Sequence, residues 1–123
     1  MTRPTPAFAV ESVDEGATVR VARVHGELDI ANASRFRRLL ERRVDVDLIL
    51  DLSKLDFIDS SGLGALLRVR SALARNGSEL MLVVPEAASV LSAFQVAGVL
   101  GELPISPDVP QARRRLASRS RAL

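Results

Sequence analysis

The chain has 123 residues, 47% of them hydrophobic and 26% charged, the balance of a single soluble domain large enough to bury a core unaided. It has no cysteine and one histidine, which excludes disulfides, thiolate metal sites, cysteine nucleophiles and paired-histidine centres, so neither a metal nor another cofactor is expected. No apolar run approaches the ~20 residues that span a bilayer, and residues 1–7 lack a signal-peptide core, so a cytoplasmic protein without membrane contact is expected.

Seventeen Lys and Arg against fifteen Asp and Glu give a net charge of +2, a balance that at first points to nucleic acid. Its distribution points elsewhere. Residues 1–110 hold twelve bases and all fifteen acids, a net of −3, while Arg113, Arg114, Arg115, Arg119 and Arg121 sit in a terminus with no acid. Charged termini are commonly solvated and partly disordered, so no specific nucleic-acid partner is expected.

In chain order, Phe8–Val13 and Ala17–His25 read as strands joined by a turn at Asp14-Glu15-Gly16, with Gly16 supplying a positive φ. Gly26-Glu27-Leu28-Asp29 breaks the second strand. From Asn32 to Arg43, Phe36, Leu39 and Leu40 recur at helical spacing opposite Arg35, Arg38 and Arg42. Val46–Leu52 is a nearly continuous apolar run, the pattern of a central strand covered on both faces. Ser53–Ile58 reads as a loop and Asp59-Ser60-Ser61-Gly62 as the opening of a second helix, which Asn76-Gly77 closes. Glu79–Val84 is a further buried strand. Pro85 is placed to start a third helix, with Val90, Leu91, Phe94 and Ala97 inward and Gly98 as its cap. Leu103–Ile105 reads as a short edge strand and Asp108 to about Leu116 as a last helix that frays into the Arg-rich end. Strands alternating with helices imply an α/β fold with a mainly parallel sheet of four to five strands, an antiparallel hairpin at one edge and about four helices. The domain spans 8–110, and residues 111–123 form a tail that is helical at first and then disordered.

The segment Phe57-Ile58-Asp59-Ser60-Ser61-Gly62-Leu63-Gly64 carries most of the chemistry. An aspartate and two hydroxyls stand where a loop enters a helix, and a helix N-terminus offers unpaired N–H groups and partial positive charge to an anion. Two glycines in one turn cost helix stability, roughly 1 kcal/mol each against alanine, and leave room for another backbone to approach. On spacing alone these residues also fit an ordinary N-cap with tight helix–strand packing.

That octet resembles the signature of STAS domains, and in particular of bacterial anti-sigma factor antagonists. Val24-His25-Gly26-Glu27-Leu28-Asp29, Leu48–Leu52, and Val83-Val84-Pro85 with Phe94 and Gly98-Val99 are similar to other parts of the same family, in its order, over about residues 8–110. The resemblance implies partner switching. Ser60, directly after the motif's aspartate, would be the phosphoacceptor, with Ser61 as a supporting hydroxyl and Asp29, Asp59 and Gly62 on the partner-facing surface. An anti-sigma factor with serine kinase activity would add the phosphate and a serine phosphatase would remove it. The unphosphorylated form would bind the anti-sigma factor and free the sigma factor. The same fold also serves as an interaction or scaffold module without sigma control, in stressosome-like or transporter-associated components.

Enzymatic readings find little support. Ser60 or Ser61 with His25 would need a nucleophile elbow, and no Gly-x-Ser-x-Gly is present. The only lysine, Lys54, precedes the serines, and there is no phosphate-binding Gly-x-x-x-x-Gly-Lys-[Ser/Thr] loop. The chain is expected to act by being modified and bound, with no catalytic residue of its own.

Overall fold

The computed structural model describes residues 8–85, 88, 90–97 and 103–121. Its five strands are β1 (Phe8–Glu15), β2 (Val19–Leu28), β3 (Asp47–Ile58), β4 (Leu80–Val83) and β5 (Ile105–Ser106), and its four helices are α1 (Ala33–Leu40), α2 (Ser60–Arg75), α3 (Leu91–Ala97) and α4 (Val109–Arg121). The strands lie side by side in chain order in one sheet. β1 and β2 pair antiparallel, and every later pair is parallel, as the alternation of strands and helices predicts.

Alternation along β3 sorts the core into two layers. Leu48, Leu50 and Leu52 join Ala22, Val24 and Leu28 of β2 and Leu80 and Leu82 of β4 beneath Phe36 and Leu40 of α1, Leu66, Val69 and Leu73 of α2, and Phe94 of α3. Ile49 points to the opposite face, where it meets Val21, Met81, Val83 and two residues of α4, Ala112 and Leu116. Asp51 also lies on this second face, 5% exposed, and accepts a hydrogen bond from Arg23 Nε at 3.1 Å. A charge buried in this way is tolerated because it is paired.

Ser53–Ile58, read from the sequence as a loop, is the second half of β3. Against β2 the register slips twice, between Arg23 and His25 and again between Gly26 and Glu27, each time by one extra residue on β3. Bulges of this kind are uncommon between parallel strands. They space the inward residues three apart, so Leu52, Leu55 and Ile58 are all buried while Ser53, Lys54, Asp56 and Phe57 are exposed. A period of three hides the strand from a search for alternation.

β2 likewise runs past its expected break to Leu28, with Gly26 at φ 89° inside it. The turn between β1 and β2 needs its glycine for another reason than the expected one. Gly16 has no positive φ, but a Cβ there would stand 2.5 Å from the Val19 carbonyl oxygen. Gly77, at φ 76°, closes α2 as expected. α3 begins six residues after Pro85, which precedes it in irregular chain and accepts a hydrogen bond from Ala88 N–H at 2.9 Å. The expected cap Gly98 and the side chain of Ala97 lie outside the described residues.

At the C-terminal end the structure differs from the expected fraying tail. Helix α4 continues to Arg121, Ala112 is 0% exposed and Leu116 3%, and Arg113 pairs with Asp14 at 2.8 Å. Arg115 donates to the carbonyl of Ile105 at 2.7 Å. Two apolar residues four apart, set among arginines, are too short a stripe to announce a packed helix, yet they cover the second face of the sheet. Leu116→Ala is therefore expected to cost about 2–4 kcal/mol of stability, measurable by urea unfolding. A solvated tail would lose nothing.

Candidate functional site

The parallel strands β2 and β3 end together, with Leu28 beside Ile58 in the register. The turns that follow them, 29–32 and 59–62, therefore lie next to each other at one pole, where loops of parallel sheets gather their functional groups. The Asp59 N–H donates to the Leu28 carbonyl at 3.2 Å and ties the two turns together.

Asp59 is the N-cap of α2, extended at φ −107°, and its Oδ1 accepts from the Gly62 N–H at 3.0 Å. One of the unpaired first-turn donors is thereby satisfied. Ser60 is the first helical residue and is exposed, while Ser61 and Asp59 are half-buried. The two glycines have different tasks. Gly62 is buried, and a Cβ on it would come within 2.6 Å of the Leu28 carbonyl and 2.7 Å of Ile58 Cγ1. It faces the end of β2 and the Ile58 side chain, so its missing side chain is needed for packing within the domain. Gly64 meets nothing within 4 Å and leaves open surface one turn beyond Ser60.

The turn after β2 is built by Asp29 and Asn32. Asp29 Oδ1 accepts from the Ala31 N–H at 3.0 Å, and Asn32 Oδ1 accepts from the Asp29 N–H at 2.9 Å. Asn32 Nδ2 donates to the Glu27 carbonyl at 2.9 Å, and Asn32 is 5% exposed. Asp29 thus belongs to the pole, half-buried, with one carboxylate oxygen engaged in shaping its own turn. Two exposed apolar residues complete the surface. Ile30, at this turn, is 79% exposed, and Phe57, on the last bulge of β3, is 47% exposed. Neither exposure can be read from sequence, because an Ile before a helix reads as core and Ser53–Ile58 reads as a loop, with no sign of the bulge that turns Phe57 outward.

The pole is acidic. Glu27, Asp29, Asp56 and Asp59 lie at or beside the paired ends of β2 and β3, whereas residues 33–43 and 60–75, the α1 and α2 regions, hold eight arginines and one acid, Glu41. The strand-end segments are thus acidic and the α1 and α2 regions basic, and the other ten acids and four bases of residues 1–110 bring the net to −3. His25 is not drawn into a serine site. Its Nε2 lies 3.0 Å from Glu11 Oε2 on β1, and in the register it stands beside Lys54, four residues before the end of β3. A cavity of about 240 Å³ lined by Thr18, Val19, Asp47, Arg113, Leu116 and Ala117 lies where β2 and β3 begin, at the other end of the strands from Ser60. Among the described residues no group of three or more His, Asp or Glu is placed to hold a metal ion. No described helix is long and apolar enough to cross a membrane.

A short hairpin-led sheet with three helices on one face, a fourth on the other and a capped Asp-Ser-Ser-Gly turn at the strand ends defines a class of small α/β domains. The STAS domain family matches residues 12–112, and the chain belongs to it. Its fold is similar to that of an anti-sigma factor antagonist from Mycobacterium paratuberculosis, with 22% identity, 90% of this chain and 96% of that one covered, and a TM-score of 0.74. It is also similar to the Bacillus cell fate determinant SpoIIAA in its phosphorylated form, at 25% identity over 89% of this chain and 99% of that one, TM-score 0.61. The murine anion transporter Slc26a9 contains a similar portion, at 25% identity over 85% of this chain but 18% of the transporter, TM-score 0.71.

Proposed function

We propose that this STAS domain is an anti-sigma factor antagonist controlled by phosphorylation of Ser60. The observation that carries the reading is the position of Ser60, exposed at the first residue of a capped helix within an acidic, partly apolar pole. Unphosphorylated, the pole binds an anti-sigma factor and the sigma factor is released. The anti-sigma factor, itself a serine kinase, transfers the γ-phosphoryl group of ATP to Ser60 Oγ, leaving ADP and taking up the hydroxyl proton. A serine phosphatase returns the hydroxyl by hydrolysis, releasing inorganic phosphate. This exchange takes place in the cytoplasm. Ser61, half-buried one residue further on, supports the geometry of the first turn.

The electrostatics favour a block at the contact and no refolding. A phosphate brings a charge of about −1.5 to −2. First-turn N–H groups and the helix dipole offset part of it locally. Towards a docked protein it is an added anion among four carboxylates, costly to desolvate. SpoIIAA, a similar chain, has been solved in phosphorylated and unphosphorylated forms.

Incubation with an ATP-binding anti-sigma factor and ATP should add one phosphate by intact-mass measurement, and Ser60→Ala should add none. Equal phosphorylation of the variant would show that the acceptor lies elsewhere. The likeness to part of Slc26a9 suits a second reading, a scaffold module without sigma control. That reading expects no transfer to either form.

A further inference from the structure

Single exposed apolar side chains are ordinary on protein surfaces and need no explanation. What distinguishes Ile30 and Phe57 is that two separate backbone devices turn them outward at the same pole. The turn carrying Ile30 is held by side-chain bonds from Asp29 and Asn32 and by the Ala33 N–H donating to the Asp29 carbonyl at 2.9 Å. Its backbone is fixed before any partner arrives. Phe57 is exposed because the second bulge of β3 inserts a residue opposite the step from Gly26 to Glu27. Without that insertion the strand would keep simple alternation, and Phe57 would take the inward place after Leu55. Bulges that re-aim a side chain are frequent beside functional sites.

We propose that Ile30 and Phe57 are the apolar anchors of the partner interface. The occupant to which the proposal commits is the anti-sigma factor, presenting an apolar cleft edged by basic side chains. The inference rests on the function proposed above and adds to it the residues that supply affinity. The charge of the pole selects the rim of that cleft. Glu27 faces Phe57 in the register, Asp56 precedes it, and Asp29 and Asp59 stand on the two turns, so Lys and Arg on the partner would complement the surround while the two apolar groups fill its centre. A rigid presenting turn reduces the ordering cost of binding, and buried apolar anchors inside a polar rim carry most of an interface's energy. Specificity for Ser60 follows from the same arrangement, because docking on these anchors brings the exposed hydroxyl to the partner.

The test is calorimetric titration of the anti-sigma factor with the full chain and with Ile30→Ala, Phe57→Ala and Val13→Ala. Val13 is the control. It is also 47% exposed, but it sits on the bulge of edge strand β1 beside the hairpin turn. Each anchor truncation is expected to weaken binding by about 30-fold, with the thermal midpoint unchanged, and Val13→Ala is expected to bind like wild type. Raising the salt concentration should weaken all four complexes alike and preserve their ratios. Wild-type binding with both anchor variants within about twofold of it, or an equal loss from Val13→Ala, would overturn the anchors and leave the antagonist reading intact. Failure of the wild type itself to bind would overturn that reading, and the anchors with it.

Discussion

Replacing Gly62 with alanine is expected to destabilise the domain by about 3 kcal/mol and to lower its Tm by about 10 °C. The added Cβ would stand 2.6 Å from the Leu28 carbonyl oxygen and 2.7 Å from Ile58 Cγ1, both far inside contact distance. The oxygen belongs to the backbone of β2 and also accepts from Asp59 N–H at 3.2 Å, so it cannot move without loosening the joint between the two turns. Relief would come from displacing the start of α2, and Ser60 would move with it. Gly64→Ala should do the opposite. With nothing within 4 Å of its Cβ, it gains helix propensity worth about 1 kcal/mol and raises Tm by a few degrees. Differential scanning calorimetry of the two variants reads both effects. Similar midpoints for the two would mean that the helix start is not held as tightly as these distances require.

Ser60→Asp is expected to weaken binding of the anti-sigma factor by about 30-fold or more, while Ser60→Ala binds like wild type. Both variants should melt within a degree or two of wild type, because Ser60 is exposed and its turn is capped by Asp59 and not by its own hydroxyl. The pairing of a lost complex with an unchanged fold separates a blocked interface from a refolded one. Binding isotherms beside melting curves provide the comparison. Equal affinities for the aspartate and alanine variants would remove the electrostatic account, and a large drop in melting temperature for aspartate would replace it with a structural one.

Much of the site was legible before any fold was drawn. Asp59 as cap, Ser60 at the helix start and Gly77 at its end follow from residue chemistry within a few positions, which is the range over which capping and turn preferences act. The parallel sheet and its antiparallel edge were legible for the same reason, from apolar runs and their spacing. Gly62 and Gly64 were not separable in this way. Both sit in the first turns of one helix, and only the position of Leu28, more than thirty residues earlier, makes one indispensable and leaves the other on open surface. Asp29 was likewise seen as a surface carboxylate, and its hydrogen bond to Ala31 N–H shows that it also shapes its turn.

The net charge of the chain is distributed unevenly in three dimensions. By itself the sequence determined that acids outnumber bases before residue 111 and that five arginines crowd the end. Tertiary structure decided where those charges go. Strand pairing brings Glu27, Asp29, Asp56 and Asp59 to the adjoining ends of β2 and β3, and the arginine-rich end folds onto the sheet through Ala112 and Leu116. It also decided the exposure of Ile30 and Phe57. The physical reason is one of range. Caps, turns and periodicity are settled by neighbours along the chain, whereas a bulge, a shared pole or a covered sheet face depends on the register between strands, which distant residues set together.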